Sequence, residues 1–140
     1  MSTQESTRPP RVLVVEDDPA SLELVAALVE QAGGQILTAE AADAGLELAA
    51  AERPDLILMD LQLPGFSGHE ATRRLKADPA TARIPVVALT AAAMPGDEAK
   101  AREAGCDGYL TKPVDPRTFR ETLRRFLSRE LGGTDRPGGV

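Results

Sequence analysis

The amino-acid sequence predicts a three-layer α/β fold in which a five-stranded parallel sheet is doubly wound, with helices on both faces. Two observations carry this prediction. Short apolar runs of strand length alternate five times with longer segments of helical period, giving a (βα)5 pattern. One run, DLILM, has no apolar–polar alternation, which is typical of a strand buried on both faces. Strands that alternate with helices imply parallel pairing and right-handed crossovers, although the pattern leaves the strand order open.

The first half of the chain contains two strand–helix units. RVLVV at 11–15 is the first strand, and a helix over roughly 19–32 follows it. Apolar residues recur at helical spacing in that helix until a glycine pair ends it. QILTA at 35–39 is a short second strand, and the Ala- and Leu-rich segment at 41–52 is the second helix. This half therefore supplies two of the five units.

The second half contains three further units. Strands are predicted where apolar runs follow a proline or a turn, at 55–59, 84–90 and 107–111. Helices follow these strands, at roughly 68–77, 96–104 and 116–130. The last helix is amphipathic, with Phe119 and Phe126 on its apolar face.

The length of 140 residues fits one domain, which we place at 11–130. The polar segment 1–10 and the Gly/Pro-rich segment 131–140 are expected to be flexible tails. With 42% hydrophobic but only 3% aromatic residues, the core must consist mainly of aliphatic side chains. The composition is that of a globular domain.

Charge and composition exclude several classes of function. Sixteen basic against twenty-two acidic residues give a net charge of −6, which argues against nucleic-acid binding. A single cysteine, Cys106, and a single histidine, His69, exclude an intrachain disulfide and the usual zinc sites. No apolar run reaches the ~18 residues that span a bilayer. We expect a cytoplasmic protein with no membrane contact, a buried Cys106 and a surface His69.

Polar residues follow the predicted strands at the edge where parallel sheets bind ligands. Glu16 and Asp17 follow the first strand, Asp60 the third and Lys112 the fifth, while Thr90 ends the fourth. If the third strand lies between the first and the fourth, strands spaced by about 4.8 Å bring these groups together. The next acid along the chain, residue 18, precedes a proline and is expected to cap the first helix.

Three carboxylates at one edge, from Glu16, Asp17 and Asp60, need a compensating charge. Two like charges 4 Å apart cost roughly 4 kcal/mol at an effective dielectric constant of about 20. Either one carboxyl group is protonated or a cation is bound, and oxygen ligands without His or Cys favour Mg²⁺. A carboxylate beside Mg²⁺, a hydroxyl and an ammonium group meets the needs of phosphoryl transfer to Asp60.

Four motifs, VVEDD, LILMDLQLPGFSG, VVALTA and GYLTKP, occur in the order and positions of a known family. Together they resemble the receiver domain of bacterial two-component response regulators, from about Arg11 to Leu127. Within that family the chain is similar to stand-alone receivers of the cell-division and polarity regulator type. The resemblance implies a flavodoxin- and CheY-like fold with strand order 2-1-3-4-5, the order of the family's chemotaxis member.

The resemblance also implies roles at the metal site. Asp60 would be the phosphoacceptor and Asp17 a direct Mg²⁺ ligand. Glu16 would hold the metal through water, and Gln62 would supply a backbone carbonyl. Mg²⁺ is the implied cofactor.

Further roles are implied around the phosphoryl group. Thr90 and Lys112 would bind it, and the bond from Lys112 to the following proline would be cis. Thr90 would move on phosphorylation and Tyr109 would turn into the vacated space, so that the two form the switch. The side chains of Gln62 and Ala92 would flank the path of the water that removes the phosphoryl group, and so tune its lifetime.

The implied partners are a histidine kinase or histidine phosphotransfer protein and a downstream protein that reads the face formed by helix 4, strand 5 and helix 5. The implied oligomeric state is a monomer or a weak phosphorylation-dependent dimer, and the domain is expected to signal without an output domain and not as an enzyme. Two alternatives remain: a Mg²⁺ phosphatase of the haloacid-dehalogenase type and a phosphorylation-independent binding module. Gln62 argues against the phosphatase, whose motif has a second aspartate there.

Overall fold

The computed structural model describes residues 8–63, 67–91 and 94–127. The strands are β1 (Arg11–Val15), β2 (Gln35–Ala39), β3 (Leu56–Asp60), β4 (Val86–Thr90) and β5 (Gly108–Thr111). The helices are α1 (Pro19–Gln31), α2 (Ala42–Glu52), α3 (Gly68–Ala77), α4 (Asp97–Ala104) and α5 (Pro116–Leu127). Strand and helix alternate throughout, as the sequence predicts.

All strand pairs are parallel, and the sheet has the order β2-β1-β3-β4-β5. This confirms the predicted fold class and the strand order that the resemblance implies. Every residue of β3 and of β4 is buried, which explains why DLILM shows no alternation. β3 lies at the centre of the sheet, so the residue at its carboxyl end has strands on both sides.

The two faces of the sheet are covered by different kinds of side chain. On one face α2, α3 and α4 contribute mainly alanines to the core, among them Ala49, Ala71 and Ala101. On the other face α1 and α5 contribute larger side chains, including the fully buried Phe119 and Leu123. One face therefore packs more apolar volume per helix than the other.

Among the helices of the described residues, α4 is the shortest and has the fewest buried side chains. It has eight residues, and only Ala101 and Ala104 are buried. Its flanking residues, Gly96 and Gly105, have φ values of 90° and 114°, a region in which glycine is preferred. No side chain caps its first turn, so its position depends on few contacts.

Several boundaries differ by one or two residues from the predicted ones. β3 extends through Asp60, so this carboxylate belongs to the last residue of the strand and does not follow it. β4 begins at Val86, because the preceding proline has no N–H for the ladder. The predicted last helix continues to 130, but 128–130 lie outside the described residues. These shifts change no element type.

The division into a domain at 11–130 and two tails stays a prediction, since 1–7 and 128–140 lie outside the described residues. Within the described residues, the segment just before β1 is held to β2, because the backbone carbonyl of Pro10 accepts a hydrogen bond from the amide of Gln35 at 2.8 Å. Among the helices of the described segments, none is long and apolar enough to cross a membrane.

Candidate functional site

The sheet brings the predicted polar residues to one edge. Val15 pairs with Met59 in adjacent strands, so Glu16 follows β1 beside the end of β3, where Asp60 lies. Thr90, the last residue of β4, is 3% exposed. The amide of Lys112 donates to the carbonyl of Thr90 at 2.8 Å, which holds the lysine backbone at the same edge.

Lys112 forms ion pairs with two buried carboxylates. Its Nζ lies 2.7 Å from Glu16 Oε1 and 3.3 Å from Asp60 Oδ2. The side chains of Glu16, Asp60 and Lys112 are 0%, 3% and 13% exposed. Lys112 follows β5, two strands away from β3, so its long aliphatic stem spans the width of β4. The bond from Lys112 to Pro113 is cis, as the resemblance implies.

The pKa values of Glu16 and Lys112 are both raised, but for different reasons. Burial is the main cause that raises the pKa of Glu16 above its ordinary value, against the hydrogen bond from Lys112. Burial alone would lower the pKa of Lys112, but the hydrogen bond to Glu16 and the charge of Asp60 outweigh it and raise that pKa. Glu16 and Lys112 therefore both hold their protons more tightly than the free side chains do, Glu16 because it is buried and Lys112 because two carboxylates surround it.

The negative charge is concentrated in three carboxylates. Oxygen atoms of Glu16, Asp17 and Asp60 all lie within 4.8 Å of one another, and Asp17 is exposed on the open side. With Lys112 the formal charge of the group is −3 + 1 = −2. Oxygen donors in this arrangement suit a hard divalent cation, so the residues fit the expected metal.

Backbone amides fix two of these carboxylates. The amide of Gln62 donates to Asp60 Oδ1 at 2.9 Å, and the amide of Asp18 donates to Glu16 Oε2 at 3.0 Å. Asp18 itself accepts from the amide of Ser21 at 2.9 Å and caps α1, as predicted. This hydrogen bond lowers the pKa of Asp18. Asp18 therefore serves as a helix cap and is not part of the group formed by the other three carboxylates.

α3 begins in direct contact with the strand that carries Asp60. A Cβ atom at Gly68 would lie 2.4 Å from the carbonyl oxygen of Asp60 and 2.8 Å from Cα of Leu61. Only glycine fits this approach. The sequence places Gly68 in a motif, but nothing in the pattern reveals that it touches the backbone of the site.

Tyr109 lies on β5, next to Ala88 of β4, and its side chain packs on the α2–α4 side of the sheet. It is half-buried. Burial, followed by the charges of Asp97 and Glu98 on α4, raises the pKa of its hydroxyl. The predicted switch residue therefore stands beside α4 and outside the carboxylate group. Cys106 is buried, as expected.

Gln62 makes a contact that sequence patterns do not predict. Its side-chain Oε1 accepts a hydrogen bond from the backbone amide of Ala91 at 3.1 Å. The contact joins the segment after β3 to the segment after β4, and it depends on the conformation of both. Ala92, the other residue expected to tune phosphoryl lifetime, lies outside the described residues.

A groove opens beside Lys112, between α1 and the segments that follow β4 and β5. Its volume is about 520 Å³, and its walls include Leu24, Val25, Pro113 and Val114. Leu24 is 36% exposed, one of two large hydrophobic side chains in the described residues that are this open. The sequence offers no signal for this groove, because its walls come from distant parts of the chain.

The family follows from comparison with known proteins. The model of the response regulator receiver domain matches residues 12–124. The chain belongs to this family. It is 43% identical over 119 residues to the polar-differentiation response regulator DivK of Brucella anthropi, covering 85% of this chain and 97% of that protein. It is 42% identical over 116 residues to DivK of Brucella ovis, covering 83% and 94%.

Solved receiver structures share the fold. A putative response regulator from Chloroflexus aurantiacus has a TM-score of 0.82 at 27% identity, over 86% of this chain and 99% of that one. The receiver domain of sensor histidine kinase PA1611 from Pseudomonas aeruginosa has a TM-score of 0.80 at 31% identity, over the same shares. That structure has a magnesium ion coordinated in its active site cleft.

These likenesses confirm the resemblance that the four motifs carry, including the likeness to the polarity regulator type. The chain is a receiver domain of the two-component type, a class of signalling module. The acidic group and the magnesium-bound relative support a divalent metal site at the same edge of the sheet.

Proposed function

We propose that this receiver accepts a phosphoryl group on Asp60 from the phosphohistidine of a histidine kinase or phosphotransfer protein. The observation that carries the proposal is the buried Asp60 carboxylate, which is ion-paired with Lys112 and adjoins two further carboxylates. A structural ion pair would not need an exposed third acid at the open side of the group, where Asp17 lies.

In the proposed step a carboxylate oxygen of Asp60 attacks phosphorus. A P–O bond forms as the P–N bond of the phosphohistidine breaks, and the imidazole nitrogen leaves with the electron pair. The product is an acyl phosphate. Lys112 stays charged and balances the new negative charge, since its pKa is raised. Thr90 offers a hydroxyl at the end of the adjacent strand.

Asp17 and Asp60 would hold Mg²⁺ directly, with Glu16 acting through water and Gln62 through its backbone carbonyl. When bound, Mg²⁺ would supply the positive charge that the three carboxylates lack and would offset the charge that develops during transfer. The backbone amides of Gln62 and Asp18, which donate to the carboxylates of Asp60 and Glu16, hold these two side chains in place before any ligand binds.

The groove beside Lys112 is proposed as the place where the phosphohistidine donor docks. Its apolar walls are continuous with the site, because Lys112 and Ala91 line both. An apolar helix surface laid over Leu24 would bring a histidine to the edge where Asp60 lies. A Leu24→Asp variant would slow transfer from a protein donor and leave acceptance from a small donor unchanged.

Phosphorylation is proposed to be read on the face formed by α4, β5 and α5. Added charge beside Thr90 would draw its hydroxyl inward, and Tyr109 would turn into the space released. A downstream protein that distinguishes the two arrangements would receive the signal. The proposed assembly is a monomer or a weak phosphorylation-dependent dimer.

The test of the proposal is intact mass after incubation with acetyl phosphate and Mg²⁺. We expect an adduct of about 80 Da on the wild type and on Asp43→Asn, a matched change at an exposed aspartate of α2. We expect none on Asp60→Asn or after removal of Mg²⁺. An adduct that persists in Asp60→Asn would contradict the assignment of the acceptor.

A second experiment separates signalling from catalysis. Incubation with a panel of phosphomonoesters and Mg²⁺ should give no multiple turnover, since Gln62 stands where a phosphatase of the haloacid-dehalogenase type has its general acid. Release of many phosphates per protein would favour the phosphatase.

A further inference from the structure

Three exposed arginines form a stripe along α5. Arg117, Arg120 and Arg124 follow one another at spacings of three and four residues, so they lie on one flank of the helix. We infer that this arginine stripe, together with the groove beside Lys112, docks an acidic helix of the phosphohistidine donor. The inference rests on the proposed function, because it names the chemistry of the partner that delivers the phosphoryl group to Asp60.

The arginine stripe lies on the side of α5 that faces away from β5. On the opposite flank, the ring of Phe126 lies 3.3 Å from the position that a Cβ atom on Gly108 of β5 would take. At about 100° per residue, Arg117 and Arg124 lie roughly 160–180° around the helix from Phe126. Since α5 also packs against α1, the stripe borders α1 and the groove, and it is directed away from β5 and α4.

The neighbouring flank of α1 supplies no charge that could neutralise the stripe. Leu24 lines the groove together with Pro113, which lies in the segment that leads into α5. Ala27 and Gln31 follow Leu24 at spacings of three and four residues, so they share its side of α1, and both are exposed. The groove and the arginine stripe therefore form one surface that is apolar at Leu24 and positively charged along α5.

The charge of the stripe is not balanced by other described residues. α5 has four arginines and one glutamate, a formal charge of +4 − 1 = +3 in a chain whose net charge is −6. On α4, by contrast, the exposed Arg102 forms an ion pair with Glu98, one turn away. In the described segments neither Arg120 nor Arg124 has such a carboxylate partner, and Glu121 forms no ion pair. These guanidinium groups are available to carboxylates of another protein.

Helix electrostatics do not account for the whole stripe. A basic residue in the last turn interacts favourably with the helix dipole, which explains Arg124. Arg117 lies in the first turn, where a positive charge is unfavourable, and Arg120 gains nothing from either end. The buried side chains of α5 belong to its other face, so the arginines are not needed to cover the core either.

An acidic helix is the occupant whose charge and shape fit this surface. Lipid insertion is disfavoured, because the large apolar side chains of α5 that are buried face the core. Nucleic acid is disfavoured by the net charge of −6. The stripe is straight and about 10 Å long, since it spans seven residues of helix. Carboxylates at spacings of three and four residues on a partner helix would match it, and arginine–carboxylate hydrogen bonds would fix the register.

Two synthetic phosphohistidine peptides test this preference. They have equal length and helical propensity and differ only at three positions, spaced by three and four residues, that are glutamate in one peptide and lysine in the other. The rate of transfer to Asp60 is followed by intact mass and divided by the rate with phosphoramidate, a small donor without a docking surface. We expect the glutamate peptide to be about three- to tenfold faster at low salt, with a smaller difference at about 0.5 M salt. The net charge of −6 alone would favour the lysine peptide, so the two explanations predict opposite orders.

Charge reversal on α5 gives the decisive comparison. The double variant Arg120→Glu, Arg124→Glu should transfer faster from the lysine peptide than from the glutamate peptide. Arg83→Glu makes the same change at an exposed arginine of the loop before β4, at the opposite end of the sheet, and should keep the wild-type order. Asp60→Asn shows that the adduct is on the expected residue.

The outcomes separate the inference from the proposed function. Equal relative rates of the two peptides, the same order in wild type and charge-reversed protein, or transfer from phosphoramidate but from neither peptide would overturn the inference. Absence of transfer from phosphoramidate and from both peptides would instead remove the proposed function. Binding to phosphatidylglycerol vesicles that is lost on charge reversal, without any preference between the peptides, would assign the stripe to a lipid surface and also overturn the inference.

Discussion

Replacing Gly68 by alanine should disturb the site through the backbone. The added Cβ would lie 2.4 Å from the carbonyl oxygen of Asp60. Ordinary contacts of this kind begin at 3.4 Å, so α3 and the end of β3 must separate by about 3.4 − 2.4 = 1.0 Å. The second contact, 2.8 Å to Cα of Leu61, is also to backbone, so no side-chain rotation relieves the clash.

The expected loss of stability follows from two opposing effects. Inserting a methyl group into a filled space costs typically about 1–3 kcal/mol. Alanine is favoured over glycine in a helix by up to about 1 kcal/mol, and less than this at the first helical position. We expect the free energy of unfolding of Gly68→Ala to fall by about 1–2 kcal/mol. A displacement of this size near reacting atoms also lowers rates, by up to about a hundredfold.

Urea unfolding and the rate of adduct formation with acetyl phosphate measure the two effects. Gly33→Ala is the matched control: its φ of 91° strains an alanine, but no atom lies within 4 Å of the added Cβ and the site is remote. The control should lose stability and keep its adduct rate. Unchanged stability and rate in Gly68→Ala would refute the reasoning, and an equal loss of rate in Gly33→Ala would trace the effect to global stability.

Three further predictions concern other parts of the molecule. Lys112→Met leaves the carboxylates of Glu16 and Asp60 buried without their ammonium partner. The free energy of unfolding should therefore fall by about 3 kcal/mol, and added Mg²⁺ should restore part of this loss. A urea unfolding curve that matches the wild type would contradict the prediction. Burial raises the pKa of the Cys106 thiol, so alkylation should be slow in the native protein and rapid in denaturant; mass spectrometry under both conditions would detect a reactive native thiol if this is wrong. Asp115 directly precedes α5 and caps it by accepting hydrogen bonds from the amide and hydroxyl of Thr118, and these bonds lower the pKa of Asp115 below its ordinary value. The cap therefore stabilises the fold above that ordinary value, and this contribution is lost as pH falls through the folded-state pKa. Asp115→Asn should therefore show a weaker acid-induced loss of stability than the wild type, and parallel pH profiles would count against this cap.

Sequence reasoning recovers the fold because strand and helix periods are local properties. It recovers Glu16, Asp17, Asp60 and Lys112 because parallel topology sends the carboxyl ends of all strands to one edge. The cap at Asp18 is likewise a local pattern.

The remaining features depend on how distant segments meet. The hydrogen bond from Ala91 to Gln62 joins residues 29 positions apart in two irregular segments. The tight approach of Gly68 to Asp60 depends on the angle at which α3 leaves its loop. No periodicity encodes either contact. The groove near Leu24 arises in the same way, from walls that belong to three separate parts of the chain.

The sparse anchoring of α4 implies that this helix is a separate foldon of low stability. Only Ala101 and Ala104 are buried there, and each has a small side chain, so little dispersion energy is lost when the helix lifts from the sheet. α1 and α5 are anchored by leucine, valine and phenylalanine side chains, so we expect them to open only when the whole domain unfolds. We therefore expect native-state hydrogen exchange to show α4 opening at a lower free energy than the neighbouring helices. The change in conformational entropy when this one short helix opens or closes then becomes part of the free energy of signalling.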